Sequence, residues 1–300
     1  MSTALLLLPD FAMILAGFLL HRSGKFTRPF WEGLERLIYY VLFPALLFQS
    51  LAKNRIDFAI AGPAMLGAIG VVSTGIVLGW LGKWILRPDP RIFASGVQTA
   101  FRFNSYIGLA VASRLYGDAG LAAFAIIVAV AVPLANIASV WALARHSDSN
   151  VLKELAQNPL LLATIAGVSW SFTGWTIPEP IAVTLSRMGS ASLAGGLLAV
   201  GAALTLESAG RNAPIVAWFL AVKMLALPVA AWLIASALGM SGVYYQVLIM
   251  FGALPTATSA YVLAVRMGGD GKSVALIISL STLLGMITLP IAVALLSAQK

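Results

Sequence analysis

Two polar stretches that could bind an anion interrupt long apolar parts of this chain. The first reads Phe-Arg-Phe-Asn-Ser-Tyr-Ile-Gly over 101–108, and the second reads Gly-Ala-Leu-Pro-Thr-Ala-Thr-Ser-Ala-Tyr over 252–261. A guanidinium can hold a carboxylate through two parallel hydrogen bonds, and hydroxyl and amide groups can complete such a site. The candidate substrate-binding residues are therefore Arg102, Asn104, Ser105, Tyr106, Pro255, Thr256, Thr258, Ser259 and Tyr261.

Asp10 and Lys223 also place a charge within apolar segments. An ionisable side chain at the centre of a membrane helix costs about 3 kcal/mol or more, so it usually faces a cavity or a partner. Two roles are open for Lys223. It could be a titratable group in coupling, or a fixed charge that bonds backbone carbonyls. Asp10 could carry a proton, neutralise Lys223 or lie near the outer interface, and the last reading is favoured because its apolar segment is short. The alternatives for Arg102 are that it pairs with a carbonyl at a helix C-terminus or snorkels towards the membrane interface.

The composition requires a membrane around these residues. Apolar residues make up 60% of the 300 and charged residues 10%, against a usual quarter. A soluble domain cannot hide so much apolar surface. With no cysteine and two histidines, we expect no metal and no cofactor. We also expect no nucleic acid partner, because the net charge of +8 includes no basic run with interleaved aromatic residues.

Ten apolar segments are long enough to span a bilayer, which takes about 20 residues. Basic residues favour the cytoplasmic side, and alternation leaves few of them on the side of the termini. The sequence therefore predicts a multi-pass protein of the cell (inner or plasma) membrane with both termini outside the cytoplasm. The predicted spans lie near 3–20, 35–52, 58–82, 91–115, 119–143, 158–174, 188–206, 213–237, 243–266 and 271–297.

A common offset relates the two halves of the chain. Arg114 and Arg266 lie 152 positions apart, and Pro63 and Pro214 lie 151 apart. Five spans per half is an odd number, so the second copy must be inverted in the membrane, an arrangement typical of secondary transporters. The predicted domains are a first repeat over 1–143, a cytoplasmic linker over 144–157 and a second repeat over 158–300.

The repeat pairs the two polar stretches and places Asn104 opposite Thr256. Pro255 removes a backbone donor and clashes with the preceding turn, so we expect a break in span nine. Freed backbone groups at that depth need a cavity or packed protein, and two facing breaks would form an anion or ion site at the midplane. The alternative is a simple proline kink whose hydroxyls bond to their own helix.

Several short motifs resemble the auxin efflux carrier family, which includes plant PIN-type carriers and bacterial malonate or malate permeases. They are Asn-Ser-Tyr-Ile-Gly at 104–108, Pro-Thr-Ala-Thr-Ser-Ala-Tyr-Val-Leu at 255–263, Asn-Pro at 158–159, Phe-Pro-Ala-Leu-Leu-Phe at 43–48, and Lys223 with Pro228. The motifs follow one another in order across nearly the whole chain. Two departures are Ala110 and the Ala194-Gly195 pair, which stand where that family usually has proline.

The resemblance implies an all-α protein with crossed broken helices 4 and 9, a homodimer and an elevator mechanism. Spans 1, 2, 6 and 7 would form a scaffold, and spans 3–5 and 8–10 a moving unit. The implied function is secondary transport of a small organic anion, such as malonate, malate or an auxin-like weak acid, with proton coupling open.

The alternative functions are a passive anion channel and a sodium-coupled symporter of organic solutes. A membrane enzyme is not favoured, because the sequence has neither a G-x-S-x-G elbow nor an H-E-x-x-H pair.

Overall fold

The computed structural model describes residues 3–53, 58–143, 159–204 and 212–297. Within these ranges the chain forms helices and connections, and no β-strand. The linker predicted over 144–157 lies outside the described residues.

The first half of the chain contains six helices in its described part. They are α1 (Thr3–Arg22), α2 (Arg28–Leu37), α3 (Phe43–Lys53), α4 (Phe58–Leu86), α5 (Pro90–Gly96) and α6 (Ser105–Leu143). A π-helical turn, Ile38–Leu42, joins α2 to α3, and a 3-10 turn, Val97–Ala100, extends α5.

The described part of the second half contains seven helices. They are α7 (Pro159–Thr173), α8 (Glu179–Ala202), α9 (Ala213–Ala221), α10 (Leu227–Ala237), α11 (Gly242–Gly252), α12 (Ser259–Arg266) and α13 (Gly271–Ser297). A second π-helical turn, Val222–Ala226, joins α9 to α10.

Six helical segments in the described ranges are long and apolar enough to cross a membrane. They are Arg28–Lys53, Ala61–Leu86, Pro90–Leu143, Glu179–Ala202, Ala213–Ala237 and Gly271–Ala294. Leu162–Thr173 and Gly242–Gly252 are shorter apolar helices. This agrees with a polytopic membrane protein, while the finer count of ten spans stays a prediction.

Two helices begin earlier than the sequence predicted. The second span begins at Arg28 instead of 35, and the seventh at Glu179 instead of 188. Both starts carry a proline in the first turn, where its missing N–H costs nothing, and Glu179 also suits the positive end of the helix dipole. A search for apolar runs misses these polar first turns. Arg187, which was placed in a connection, is an exposed residue within α8.

The helices pack in two groups. In the first, α1 lies along α8, and α3 lies along α7 and α8. In the second, α4 packs on α6 and α10, and α11 packs on α6, α10 and α13. The backbones of α1 and α8 touch, since a Cβ on Gly201 would collide with the Ile14 carbonyl. Small residues permit such close approach in membrane proteins, where it replaces the hydrophobic effect as the source of helix association.

The chain reverses direction within α6, at Gly117. Gly117 has φ +58° and ψ −145°, a conformation that essentially only glycine adopts. A Cβ on Gly120 would lie 2.5 Å from the Ala112 carbonyl oxygen, although eight residues of straight helix span about 12 Å. Segments 105–116 and 118–143 therefore fold back onto each other near Ala112 and Gly120.

Candidate functional site

The first interruption separates α5 and its 3-10 turn from α6. Residues 101–104 connect the two helices, and the helix restarts after Asn104. Its Oδ1 accepts hydrogen bonds from the backbone N–H groups of Tyr106 (3.1 Å) and Ile107 (3.2 Å). Asparagine is a preferred residue at this position because its side chain satisfies N–H groups that have no partner in the first turn. The break therefore forms although Ala110 is not proline.

The second interruption separates α11 from α12. Residues 253–258 connect the two helices, and Pro255 lies in the middle of the connection, as the sequence predicted. The backbone N–H of Thr256 donates to the Ser281 hydroxyl of α13 at 3.2 Å. A freed backbone group inside the protein thus has a side-chain partner, which is the condition for non-helical backbone at membrane depth.

The two interruptions meet and cross. The Asn104 backbone N–H donates to the Pro255 carbonyl at 2.8 Å, and the Thr256 hydroxyl donates to the Thr99 carbonyl at 2.9 Å. The Gln98 amide nitrogen donates to the Ala260 carbonyl at 3.2 Å. Asn104, Thr256 and Gln98 are all essentially fully buried. These three hydrogen bonds fasten the broken helices of the two halves to each other.

Arg102 lies at the edge of the crossing and has unused donors. Its Nη2 donates to the Ser259 hydroxyl at 3.0 Å, and Ser259 is exposed. Its Nη1 is buried, as is Nδ2 of Asn104, and neither atom has a hydrogen-bond partner among the described residues. A guanidinium and an amide with free N–H groups form a donor set that suits a carboxylate. One alternative paired Arg102 with a carbonyl at a helix C-terminus. In the structure, its Nη2 donates to the Ser259 hydroxyl instead.

The remaining predicted binding residues surround the same point, with different exposure. Ser105, Tyr106 and Thr258 are half-buried, whereas Pro255 and Thr256 are buried and their observed contacts hold the crossing. The ring of Tyr106 packs edge-on against Phe43 at 5.1 Å between centroids. It also lies against α8, where a Cβ on Gly196 would come within 2.8 Å of it.

Of the two further predicted charges, Lys223 is 1% exposed in the π-helical turn after α9. Asp10 is also buried, and its Oδ1 accepts from Arg114 Nη2 at 3.3 Å. The alternative that Asp10 neutralises Lys223 is therefore wrong, because a guanidinium of α6 is its partner. In the described ranges the ion pairs are Asp10–Arg114 and Arg28–Glu32, so Lys223 has no carboxylate partner there.

Sequence reasoning missed the polar stripe of α2, which we define as Arg28, Glu32, Glu35 and Tyr39. Arg28 donates from Nη2 to the Tyr261 hydroxyl at 3.2 Å and from Nε to Glu32 Oε1 at 3.2 Å. Tyr39 is within Coulomb range of Arg102, and Glu35 is within range of Tyr106. The signal was present in the sequence, since spacings of three and four positions align residues on one helix face.

Gln98, Thr99 and Ser281 were also missed, although they hold the crossing. These polar residues lie within largely apolar stretches, and their partners lie 25 to 162 positions away along the chain. Polarity in such a run could have marked them, but only the fold identifies the partners.

A cavity of about 380 Å³ lies away from the crossing, between the end of α3 and the α7–α8 connection. Lys53, Trp175 and Thr176 are among its lining residues, and none of the predicted site residues lines it.

Comparison with known proteins finds similarity to membrane transporters across nearly the whole chain. The Membrane transport protein family profile matches residues 4–144 and 135–293. The chain is 24% identical over 298 residues to a putative malonate transporter of Rhizobium meliloti, covering 94% of this chain and 92% of that protein. It is equally identical over 298 residues to an uncharacterized transporter of Escherichia coli K12, with 95% of each covered. An uncharacterized transporter of Methanocaldococcus jannaschii is 21% identical over 295 residues, with 92% and 93% covered.

Proposed function

This chain belongs to the membrane transport protein family, the family of the auxin efflux carriers, and from that premise we propose that it is a secondary transporter of a small organic anion. The proposed cargo is a mono- or dicarboxylate such as malonate or malate, or an auxin-like weak acid. The name of the Rhizobium meliloti relative favours malonate as the first compound to test.

The observation that carries the proposal is the free donor set at the crossing. Arg102 Nη1 and Asn104 Nδ2 are buried without partners in the described ranges, and the same guanidinium reaches the exposed Ser259. Buried N–H groups without a hydrogen-bond partner are costly, and an anionic ligand that accepts from them would remove that cost. We assign Arg102 and Asn104 to one carboxylate, with Ser105, Tyr106, Thr258 and Ser259 around it and with Pro255, Thr256 and Tyr261 holding the site in shape.

We propose that transport follows an elevator-type alternating-access mechanism. The group formed by α1, α2, α3, α7 and α8 would be the scaffold, and α4–α6 with α9–α13 the moving unit. The hydrogen bonds of the crossing join segments of the moving unit to each other, so the site would travel as one body. The proposal also includes a 5+5 inverted repeat and a homodimer whose interface is formed by the scaffold.

Lys223 argues against a sodium-coupled symporter within this proposal. Its ammonium is buried in the moving unit, and α9 and the following π-turn pack on the 3-10 turn before the crossing. A fixed positive charge there would repel a sodium ion, because Coulomb repulsion is strong in a low-dielectric interior. We therefore assign Lys223 the role of a resident cation at the crossing, with proton coupling or uniport as the transport mode.

Uptake of labelled malonate into proteoliposomes tests the proposal. We expect saturable uptake that is accelerated by unlabelled malonate inside, which separates a carrier from a channel. Arg102→Ala is expected to weaken malonate binding about 10- to 100-fold, the range for a lost hydrogen bond to a charged group.

Arg36→Ala is the matched control, since Arg36 is exposed on α2 and should leave uptake unchanged. Malonate, malate and indole acetate would be compared in the same vesicles. Uptake that Arg102→Ala leaves intact would overturn the site assignment, and non-saturable flux without exchange would favour the channel.

A further inference from the structure

The polar stripe of α2 leads from the surface of the protein towards Arg102. At its outer end the side chains of Arg28 and Glu32 are 64% and 54% exposed. One turn further, Glu35 is half-buried, and so is Tyr39 in the π-helical turn. Exposure therefore falls along the stripe, although α2 and α3 together form an apolar segment long enough to cross a membrane.

Two tyrosines link the surroundings of Glu35 to those of the proposed site. Tyr106 is within Coulomb range of both Glu35 and Tyr39, and Tyr39 is within range of Arg102. Tyr106 follows Asn104 by two residues and packs against Phe43 of α3 and Gly196 of α8. Leu34, which precedes Glu35, lies against the adjacent Gly195, so the Glu35 segment and Tyr106 pack on neighbouring residues of α8.

Several elements contribute charged or phenolic groups around Glu35. On its own helix these are Glu32 and Arg28, with Arg36 exposed beside it. The π-helical turn contributes Tyr39 and the exposed Tyr40, and α6 contributes Tyr106. From α12, Tyr261 bonds Arg28 instead of Glu35.

Helix α8 adds no charge to this set. It meets α2 near Gly195, where a Cβ would lie 3.7 Å from Leu34. Its segment 188–202 contains no titratable residue. The cation whose charge acts on Glu35 is Arg28, and it already bonds Glu32 and Tyr261.

We propose that Glu35 is the proton-binding carboxylate of the transporter, so that an anion binds Arg102 together with a proton on Glu35. This inference rests on the proposed function. An ionised Glu35 and an anion on Arg102 would repel each other, because both carry negative charge in a low-dielectric interior. Occupancy by the anion therefore favours transfer of a proton from the aqueous phase to a Glu35 carboxylate oxygen. When the anion leaves on the other side, the proton returns to water, and no other bond changes.

Isothermal titration of the purified full-length protein with malonate measures this proton directly. Comparison of two buffers with different ionisation enthalpies gives the number of protons taken up per anion, at a pH where malonate is fully ionised. We expect an uptake that rises towards about one proton in the pH range where Glu35 titrates. In that range the malonate dissociation constant should rise up to about tenfold per pH unit.

Glu35→Gln should bind malonate without proton uptake and with a flat pH dependence. Glu32→Gln is the matched control, because Glu32 lies on the same face but is exposed, and it should retain the uptake. Glu35→Asp keeps a carboxylic acid at this position, so it should retain the proton uptake. It is the second variant to measure if Glu35→Gln folds poorly. Proton uptake that persists in Glu35→Gln would overturn the inference. Absence of malonate, malate and indole acetate binding in the unmodified protein would instead count against the proposed function.

Discussion

Asn104 has two functions at the site, and they reside on different atoms of one side chain. Oδ1 caps the first turn of α6, whereas Nδ2 is one of the buried donors without a partner in the described part of the chain. An amide can do both because its oxygen only accepts and its nitrogen only donates. The residue thus links the restart of a helix to the recognition of an anion.

Asn104→Asp separates these two functions. Aspartate keeps the capping oxygen but replaces the donor by a second acceptor beside Arg102, where it would compete with the substrate carboxylate. We expect thermal stability close to that of the unmodified protein and a loss of malonate binding of at least about tenfold.

Asn104→Ala should show both losses, with about 1 kcal/mol of stability removed together with the cap. Melting curves and calorimetric titration of the same preparations compare the two variants. Equal malonate affinity in Asn104→Asp and the unmodified protein would show that Nδ2 is not a ligand.

At the scale of helices, the sharp reversal at Gly117 determines how the fourth and fifth spans pack. Without a residue that tolerates its backbone angles, segments 105–116 and 118–143 could not come into contact around Ala112 and Gly120. The reversal also aligns the restarted half of the broken helix with its neighbour.

Gly117→Ala should therefore destabilise the protein by about 1–3 kcal/mol, the cost of a strained backbone conformation. Gly33→Ala is the control for adding a methyl group, because Gly33 lies in α2 with open space around it and alanine is the better helix former. Thermal unfolding in detergent should show opposite shifts for the two variants. A similar shift in both would mean that the Gly117 conformation is not required.

Sequence alone located the two helix breaks, because proline and amide residues stand out within apolar runs. Pro255 and Asn104 are such residues, and the contact between their segments is present in the structure. Hydropathy could not locate Glu35, since it lay at the border of a predicted span and beside the charged Arg36. Nor could it pair Gln98 with Ala260, because that hydrogen bond joins residues 162 positions apart. Local chemistry marked the site, whereas its long-range contacts depend on the fold.

At the scale of the whole molecule, polar contacts between described residues join the proposed scaffold to the proposed moving unit. Asp10 of α1 binds Arg114 of α6, and Arg28 of α2 binds Tyr261 of α12. The second contact is also a cation–π interaction, with 5.5 Å between the guanidinium carbon and the ring centroid. An elevator movement would have to break such contacts and form others.

Cross-linking at the first contact tests this movement without a background mutation, because the chain contains no cysteine. Cysteines introduced at Asp10 and Arg114 and joined by a short bifunctional thiol reagent should stop malonate transport while binding persists. The two single-cysteine variants treated with the same reagent are the controls. Full transport by the cross-linked protein would contradict relative movement of α1 and α6.

The crossing has a consequence for the evolution of the family. Its side-chain donors, Gln98 and Thr256, bind main-chain carbonyls of Ala260 and Thr99. Every amino acid offers such a carbonyl, so the accepting positions can drift while the bond is inherited. Among relatives as divergent as 24% identity, we expect Gln98 and Thr256 to be retained more often than Ala260 and Thr99. Selection on this architecture would then appear on only one partner of each pair, and covariation between the partners would be weak.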